Sequence, residues 1–485
     1  MFLGLDIGTT AVKSIIVDAD QTVIADASVE HPTIRPEPGL SEQDPASWIA
    51  AVRECLAGLR AKAGVALSAV EAIGLSGQMH SPVLLDRNNE PLRPALLWND
   101  SRGQEECAEL TRAVPGVARL TGVVPMAGFT AAKLLWIRKH EPEAFAKIAH
   151  VMLAKDFVRL WLTGEVGSDV SDGAGTQLLD EARRCWAEPV LAAVGLSPEQ
   201  MPRLHEGTAV AGRLRSSVAA QFGMRPGLPV AAGGGDAAAG ALGLGCIDND
   251  QGFISLGTGT VFVVVQDRYA PAPETMLHNF AHCIPDRWYQ MAGMLNGASC
   301  LAWVLSLIGE ADASAVLARV GERYRRPSQV VFLPYLTGER TPHNDPRARG
   351  VFFGLGLETD PSDLVQAVLE GVAFSIRDAR ERLRVAGCDC RAPGVTGGGA
   401  RSELWARIIA SVLGEPIVRY VGGQFGPALG AARLAMIAST GRSVQDVAVA
   451  PVVAQTIAPD AALAGAYDES FAKYTTLYQS VKELF

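Results

Sequence analysis

The segment Asp6-Ile7-Gly8-Thr9-Thr10 places a carboxylate, a glycine and two hydroxyls at the end of an apolar run, with Lys13 just beyond. A carboxylate can hold a divalent cation, glycine lets backbone N–H groups approach a ligand, and hydroxyl and ammonium groups donate to anionic oxygens. The set suits a phosphate with its metal ion. The same residue types also build an ordinary D-x-G turn. A second copy of the device, Gly257-Thr258-Gly259-Thr260, stands about 250 residues further on, and two such turns facing one cleft favour the phosphate reading over the plain turn.

Asp236 follows Gly233-Gly234-Gly235 and precedes a run of small helix-forming residues. An aspartate at a strand-to-helix junction is either an N-cap or a carboxylate that takes a proton from a substrate hydroxyl as it attacks phosphorus. Phosphoryl transfer asks for positioning and charge neutralisation more than for a strong base, so both roles can coexist. Gly397-Gly398-Gly399-Ala400-Arg401 removes side chains where a flat ring could lie against backbone; a triple glycine is also a common flexible turn. Gln78-Met79-His80 ends another β-type run, where an imidazole could meet a sugar hydroxyl or simply serve the core. His278 and His282 share an i, i+4 spacing without a third ligand nearby and are read as non-metal.

These residues need elements to hold them. Phe2 to Asp6 and Ala11 to Val17 read as strands joined by the Gly/Thr turn, and Gly252 to Leu256 and Val261 to Val265 repeat the arrangement. An internal duplication explains the repeat. The boundary falls near residues 243 to 251, dividing the chain into 1–245 and 246–485. Between these points β-type runs (Ala72 to Ser76, Leu228 to Ala232) alternate with helical patterns (Pro45 to Leu59, Lys133 to Arg138), which predicts α/β architecture. Leu364, Val368, Val372 and Ile376 mark a long amphipathic helix over 362–384, followed by Val395-Thr396, the triple glycine and a helix over 402–413. Two halves facing each other across a cleft would place small-ligand sites between them.

Composition narrows the classes. With 43 Lys plus Arg against 52 Asp plus Glu, the net charge is −9 and only 20% of residues are charged, which argues against a nucleic-acid or anionic-membrane partner. The eight cysteines are scattered and form no CxxC pair, so a reduced, cytoplasmic protein is expected. The start MFLGLDIGTT reads as a first strand rather than a signal peptide. Leu228 to Cys246 is too weakly apolar to favour a bilayer, and no membrane segment is predicted.

The sequence resembles the FGGY carbohydrate kinase family, within the actin, hexokinase and Hsp70 superfamily, over nearly its whole length. Gly128-Phe129-Thr130-Ala131-Ala132-Lys133-Leu134-Leu135-Trp136 is similar to the first family signature, and Gly350 to Leu355 through Asp363-Leu364 to Ala367-Val368-Leu369-Glu370 to the second. Ser41 to Pro45, Ser76 to His80, Leu97 to Arg102 and Gly338 to His343 are most similar to the xylulokinase branch. The resemblance implies two duplicated actin-like ATPase (ribonuclease H-like) domains around a central cleft. The sugar pocket, first phosphate turn and catalytic aspartate would lie in 1–245, the second phosphate turn and adenosine site in 246–485. It implies D-xylulose and ATP as substrates, with Mg²⁺ bridging the phosphates. Asp236 matches the catalytic base and, with Asp6, the metal site; Thr9, Thr10, Lys13 and Thr258 match phosphate contacts. Gly297, Gly398 and Gly399 match nucleotide contacts, while Met79, His80 and Trp98 match the sugar pocket. The partner is then a small pentulose, with room for a homodimer. Relatives commonly carry an amide after the aspartate where this chain has Ala237. A related pentulose or pentitol therefore stays open as substrate, as does, further off, a non-catalytic sugar-responsive role.

Overall fold

In the computed structural model, which describes residues 1–63 and 67–485, the duplication is visible as two seven-stranded sheets. In the first, Phe2–Ile7 pairs antiparallel with Ala11–Val17 across the Gly8 turn and parallel with Ala72–Gly77. In the second, Gly252–Leu256 pairs antiparallel with Thr260–Gln266 and parallel with Gly394–Thr396. Each sheet thus has one strand-turn-strand unit with a third, parallel strand beside it. The third strands end at Gln78-Met79-His80 and at Gly397-Gly398-Gly399, so all four chemistry-bearing turns come to equivalent sheet ends. Near-continuous burial of Phe2–Ile7 and Ala72–Gly77 is what parallel-paired central strands covered on both faces require.

Helices cover the sheets. Trp48, Val52, Leu56 and Leu59 of Pro45–Ala63 pack with Phe157, Val158 and Leu162 of Ala154–Thr163 in the core of the first sheet. The long helix Pro361–Val385 buries Val368, Val372 and Ile376 against the second sheet, and Asp360 caps it by accepting from the Ser362 and Asp363 N–H groups. Burying such aliphatic side chains contributes about 1.5–3 kcal/mol each before entropy is counted.

Two helices cross at the base of the cleft. Asp236–Gly243 lies in the same core as Phe253, Val263 and Val265 of the second sheet, while Gly426–Thr440 packs on the first sheet. Their approach is backbone to backbone: a Cβ at Gly430 would overlap the Ala239 carbonyl oxygen. One at Gly74 would overlap that of Ala431, and one at Gly4 that of Ala428. Among the described residues all eight cysteines are free, and no helix is long and apolar enough to cross a membrane.

Candidate active site

A cavity of about 260 Å³ opens between the two halves. The first half contributes Thr9, Met79, His80, Trp98, Asp236 and Ala237 to its wall, and the second contributes Ser255, Gly259, Thr260, Arg340 and Thr396 among others. Thr9, Met79, His80, Trp98, Asp236 and Ala237, all singled out from sequence, therefore share one space with Gly259 and Thr260 of the second turn. Asp6, Thr10, Lys13, Thr258, Gly297, Gly398 and Gly399 lie outside its lining, Asp6 and Lys13 on the strands beside the first turn and Gly297 at a helix N-terminus.

Asp236 is not an N-cap, because Gly235 occupies that position without a side-chain cap and Asp236 is the first helical residue. Its Oδ1 accepts from the Ala237 N–H at 2.7 Å, and the side chain keeps access to the cavity. Burial, and then the neighbouring Asp6 carboxylate, push its pKa up to about 7. Asp6 sits on the strand end, accepts from Ser76 Oγ at 3.2 Å and is raised to about 6 by burial, partly offset by Lys13 in register opposite it. The Asp6 carboxylate disfavours ionisation of Asp236, and a cation beside the two would favour it.

The first turn is clamped from below. Gln43 Nε2 donates to the Thr9 carbonyl at 2.6 Å and His31 Nε2 lies 3.0 Å from the Gly8 carbonyl. The Thr9 hydroxyl accepts from Trp98 Nε1 and donates to Gln78 Oε1 at 3.1 Å. In the second half, Gly257 and Thr258 carbonyls accept from the start of the Ala298–Leu307 helix, which Gly297 caps. A Cβ at Gly297 would lie 2.7 Å from both the Gly257 carbonyl oxygen and Thr260 Oγ1. The two triple-glycine members differ in use: a Cβ at Gly399 would meet Leu256 at 2.6 Å, whereas Gly398 faces open space.

His80 follows the third strand with φ at 70°, a left-handed conformation that costs energy in a non-glycine residue. Its carbonyl accepts from Lys133 Nζ at 2.9 Å and Thr130 Oγ1 at 3.1 Å, which holds it there. Its Nδ1 lies 2.5 Å from the Gly175 carbonyl, so Nδ1 carries the proton and Nε2 is an acceptor. Burial lowers the ring's pKa to about 3, keeping it neutral. Gly175 follows the short helix Val170–Ala174, whose Ser171 Oγ accepts from Gly235 N–H at 3.1 Å. Ser171 in turn donates to Asp169, which pairs with buried Lys155 at 2.6 Å. One buried polar network therefore supports both His80 and the residue before Asp236.

Arg340 and Ser255 also line the cavity, without a role assigned from sequence, and Gln78 joins the His80 segment to the first turn through Thr9. Arg340 lay inside the segment Gly338 to His343, whose likeness to the xylulokinase branch was visible although no role was attached to its members. His278 begins the strand His278–Ala281 and His282 follows it; His278 meets Phe129 edge-on at 5.3 Å.

Comparison with known proteins agrees with this geometry. Residues 1–243 match the N-terminal domain of the FGGY family of carbohydrate kinases and residues 252–439 its C-terminal domain. The chain is 43% identical over 485 residues to a xylulose kinase of Escherichia coli strain K12, covering 100% of both chains. A "xyloylose kinase" from Brucella ovis has 45% identity, a TM-score of 0.95 and full coverage of both chains. A xylulose kinase from Rhodospirillum rubrum has 31% identity, a TM-score of 0.90, and covers 100% of this chain and 99% of its own. With both domain families matched in order and a phosphotransferase cleft between two duplicated α/β halves, the chain belongs to the FGGY family of carbohydrate kinases.

Proposed function

We propose that the protein transfers the γ-phosphoryl group of ATP to the 5-hydroxyl of D-xylulose, giving D-xylulose 5-phosphate and ADP. The observation that carries this is Asp236, a carboxylate raised to about 7 in the wall of a cavity it shares with Met79, His80 and Trp98. A base with its pKa near the working pH is suited to accept the hydroxyl proton as the O–P bond forms. Full-length similarity to xylulose kinases supports the choice of sugar.

In this reading Asp236 Oδ accepts the proton of the attacking hydroxyl, and the neutral His80 Nε2 accepts a hydrogen bond from a second hydroxyl. Met79 contributes through its backbone, and Trp98 forms the wall. Thr9, Thr10, Lys13 and Thr258 hold the phosphates; the Thr9 hydroxyl is already engaged, so its contribution is the backbone N–H. Gly297, Gly398 and Gly399 border the nucleoside, Gly398 being the one with open space above it. Asp6 fits a Mg²⁺ site, because it accepts one side-chain bond, from Ser76, beside a second carboxylate. When bound, Mg²⁺ neutralises phosphate charge and lets both carboxylates stay ionised. The sugar pocket and first phosphate turn fall in a domain of residues 1–245, the second turn and nucleoside site in 246–485.

Ala237 favours a second reading. Its side chain lines the cavity where an amide would reach a sugar hydroxyl, so a related pentulose or pentitol is the competing substrate. An ADP-release assay with Mg-ATP and a panel of D-xylulose, D-ribulose, D-arabitol, glycerol and gluconate decides between them. The highest kcat/KM is expected for D-xylulose; a higher value for another sugar transfers the assignment to it, and no turnover of any sugar removes the kinase reading.

A further inference from the structure

Among the described residues Arg340 is the only Lys or Arg that lines the cavity. Its backbone is pinned on both sides. Glu339 Oε1 accepts from the N–H groups of Leu295 and Arg340, each at 2.8 Å. Thr341 exchanges two hydrogen bonds with Gly293: its N–H donates to the Gly293 carbonyl at 3.0 Å, and its Oγ1 accepts from the Gly293 N–H at 3.2 Å.

The head of the side chain is not pinned. The guanidinium lies 5.9 Å from the ring centroids of both Trp98 and Phe129. Its one hydrogen bond among the described residues, from Nη2 to the Trp98 carbonyl, is 3.5 Å long, at the edge of what counts as a bond. It has no ion pair among the described residues. A planar group with five N–H donors is therefore held at its base and has a single long bond at its tip, in a cavity wall where a ligand's oxygens could accept from it.

Its place along the cavity says which oxygens. Met79 packs against Gly235, the residue before Asp236: a Cβ there would lie 2.9 Å from Met79 Sδ. His80 comes next and meets Phe129 edge-on at 4.6 Å. Arg340 stands over that same Phe129 and over Trp98. Neighbour contacts therefore run from Gly235, beside Asp236, through Met79, His80 and Phe129 to Arg340, so a ketose with its 5-hydroxyl at Asp236 and its chain laid along these residues brings its C1–C2 end to the guanidinium.

We propose that Arg340 determines sugar specificity by donating a forked pair of hydrogen bonds to the C1 hydroxyl and C2 carbonyl oxygens of the ketose, so that the sugar is gripped from both halves of the chain. This rests on the D-xylulose reading. The test measures kcat/KM for D-xylulose and for its 1-deoxy analogue, which lacks one arm of the fork, in the wild type and in Arg340→Met. The wild type is expected to prefer D-xylulose by roughly tenfold or more, as for a charged hydrogen bond left unmade. Arg340→Met should lose about tenfold to a hundredfold on D-xylulose, have nearly equal values for the two sugars, and keep the wild-type KM for ATP. An unchanged preference in the variant overturns the proposal, and so does a loss confined to the KM for ATP, which would assign Arg340 to the phosphates. Should Arg340→Met fail to fold by circular dichroism, Arg340→Lys decides, because it keeps the charge and loses the fork: the preference should shrink, and an intact preference overturns the assignment. Failure of the wild type to phosphorylate D-xylulose would instead remove the substrate reading itself.

Discussion

The indole Nε1 of Trp98 donates a 2.9 Å hydrogen bond to Thr9 Oγ1, tying the aromatic wall of the cavity to the first strand-turn-strand unit. Thr9 passes the connection on to Gln78 Oε1, two residues before His80. The sugar-side and phosphate-side segments of the first half are thereby one hydrogen-bonded piece.

Trp98→Phe should keep an aromatic face beneath Arg340 and remove only this bond. A net hydrogen bond contributes about 0.5–1.5 kcal/mol, so kcat/KM for ATP at saturating sugar is expected to fall roughly two- to tenfold. Steady-state kinetics with ATP varied checks this. A change seen only when the sugar is varied would mean that Trp98 is a wall and nothing more.

Ala237→Asn places beside the aspartate the amide that the family resemblance implies. The expected result is a two- to tenfold lower KM for D-xylulose, the value of about one hydrogen bond, with a wider margin over D-ribulose and D-arabitol. Unchanged kcat/KM ratios in a folded variant would show that position 237 does not reach the sugar.

Much of this site was legible in the sequence because glycine, hydroxyl and carboxylate cluster on short turns between apolar runs, and the repeat of that cluster announced the duplication. Asp6, Asp236 and the strands that carry them follow from local pattern alone. The status of Asp236 as first helical residue did not, since an aspartate before small helix formers looks the same whether it caps or follows the cap. Nor did the crossing of Asp236–Gly243 with Gly426–Thr440: glycine and alanine permit close approach without indicating to what. Trp98 and Thr9 are 89 residues apart, Arg340 and Trp98 are 242 apart, and contacts at such separations leave no periodic trace.

Gly74→Ala tests the crossing. Its Cβ would overlap the Ala431 carbonyl oxygen, which is backbone and cannot swing aside. Overpacking of this kind costs about 1–3 kcal/mol or more, so the melting temperature should drop by several degrees. An unchanged melting temperature would show that the helix shifts freely on the first sheet.

Glu370 gives a pH dependence. Burial raises its carboxyl from 4.5 to about 7, although it accepts from Ser328 N–H, Gln366 Nε2 and Tyr467 Oη. Because the folded pKa lies above the unfolded one, the protonated form is favoured in the fold, and stability present at acid pH is lost as pH rises from 4.5 through 7. At about 1.4 kcal/mol per pH unit, Glu370→Gln should gain about 2 to 3 kcal/mol relative to the wild type between about pH 5 and pH 8. Chemical denaturation of both proteins at the two pH values measures the difference. A difference that stays constant with pH would contradict a raised Glu370.

The most direct test of the whole account is the turnover of Asp236→Asn with D-xylulose and Mg-ATP, measured beside calorimetric binding of the sugar. Asparagine keeps the size and polarity of the side chain and removes its capacity to take a proton. The account predicts a kcat lower by roughly 10² to 10⁴, the usual contribution of a positioned base, with sugar affinity within a few-fold of the wild type. Near-normal turnover in the folded variant would contradict it, leaving Asp236 as a helix residue that happens to face the cavity.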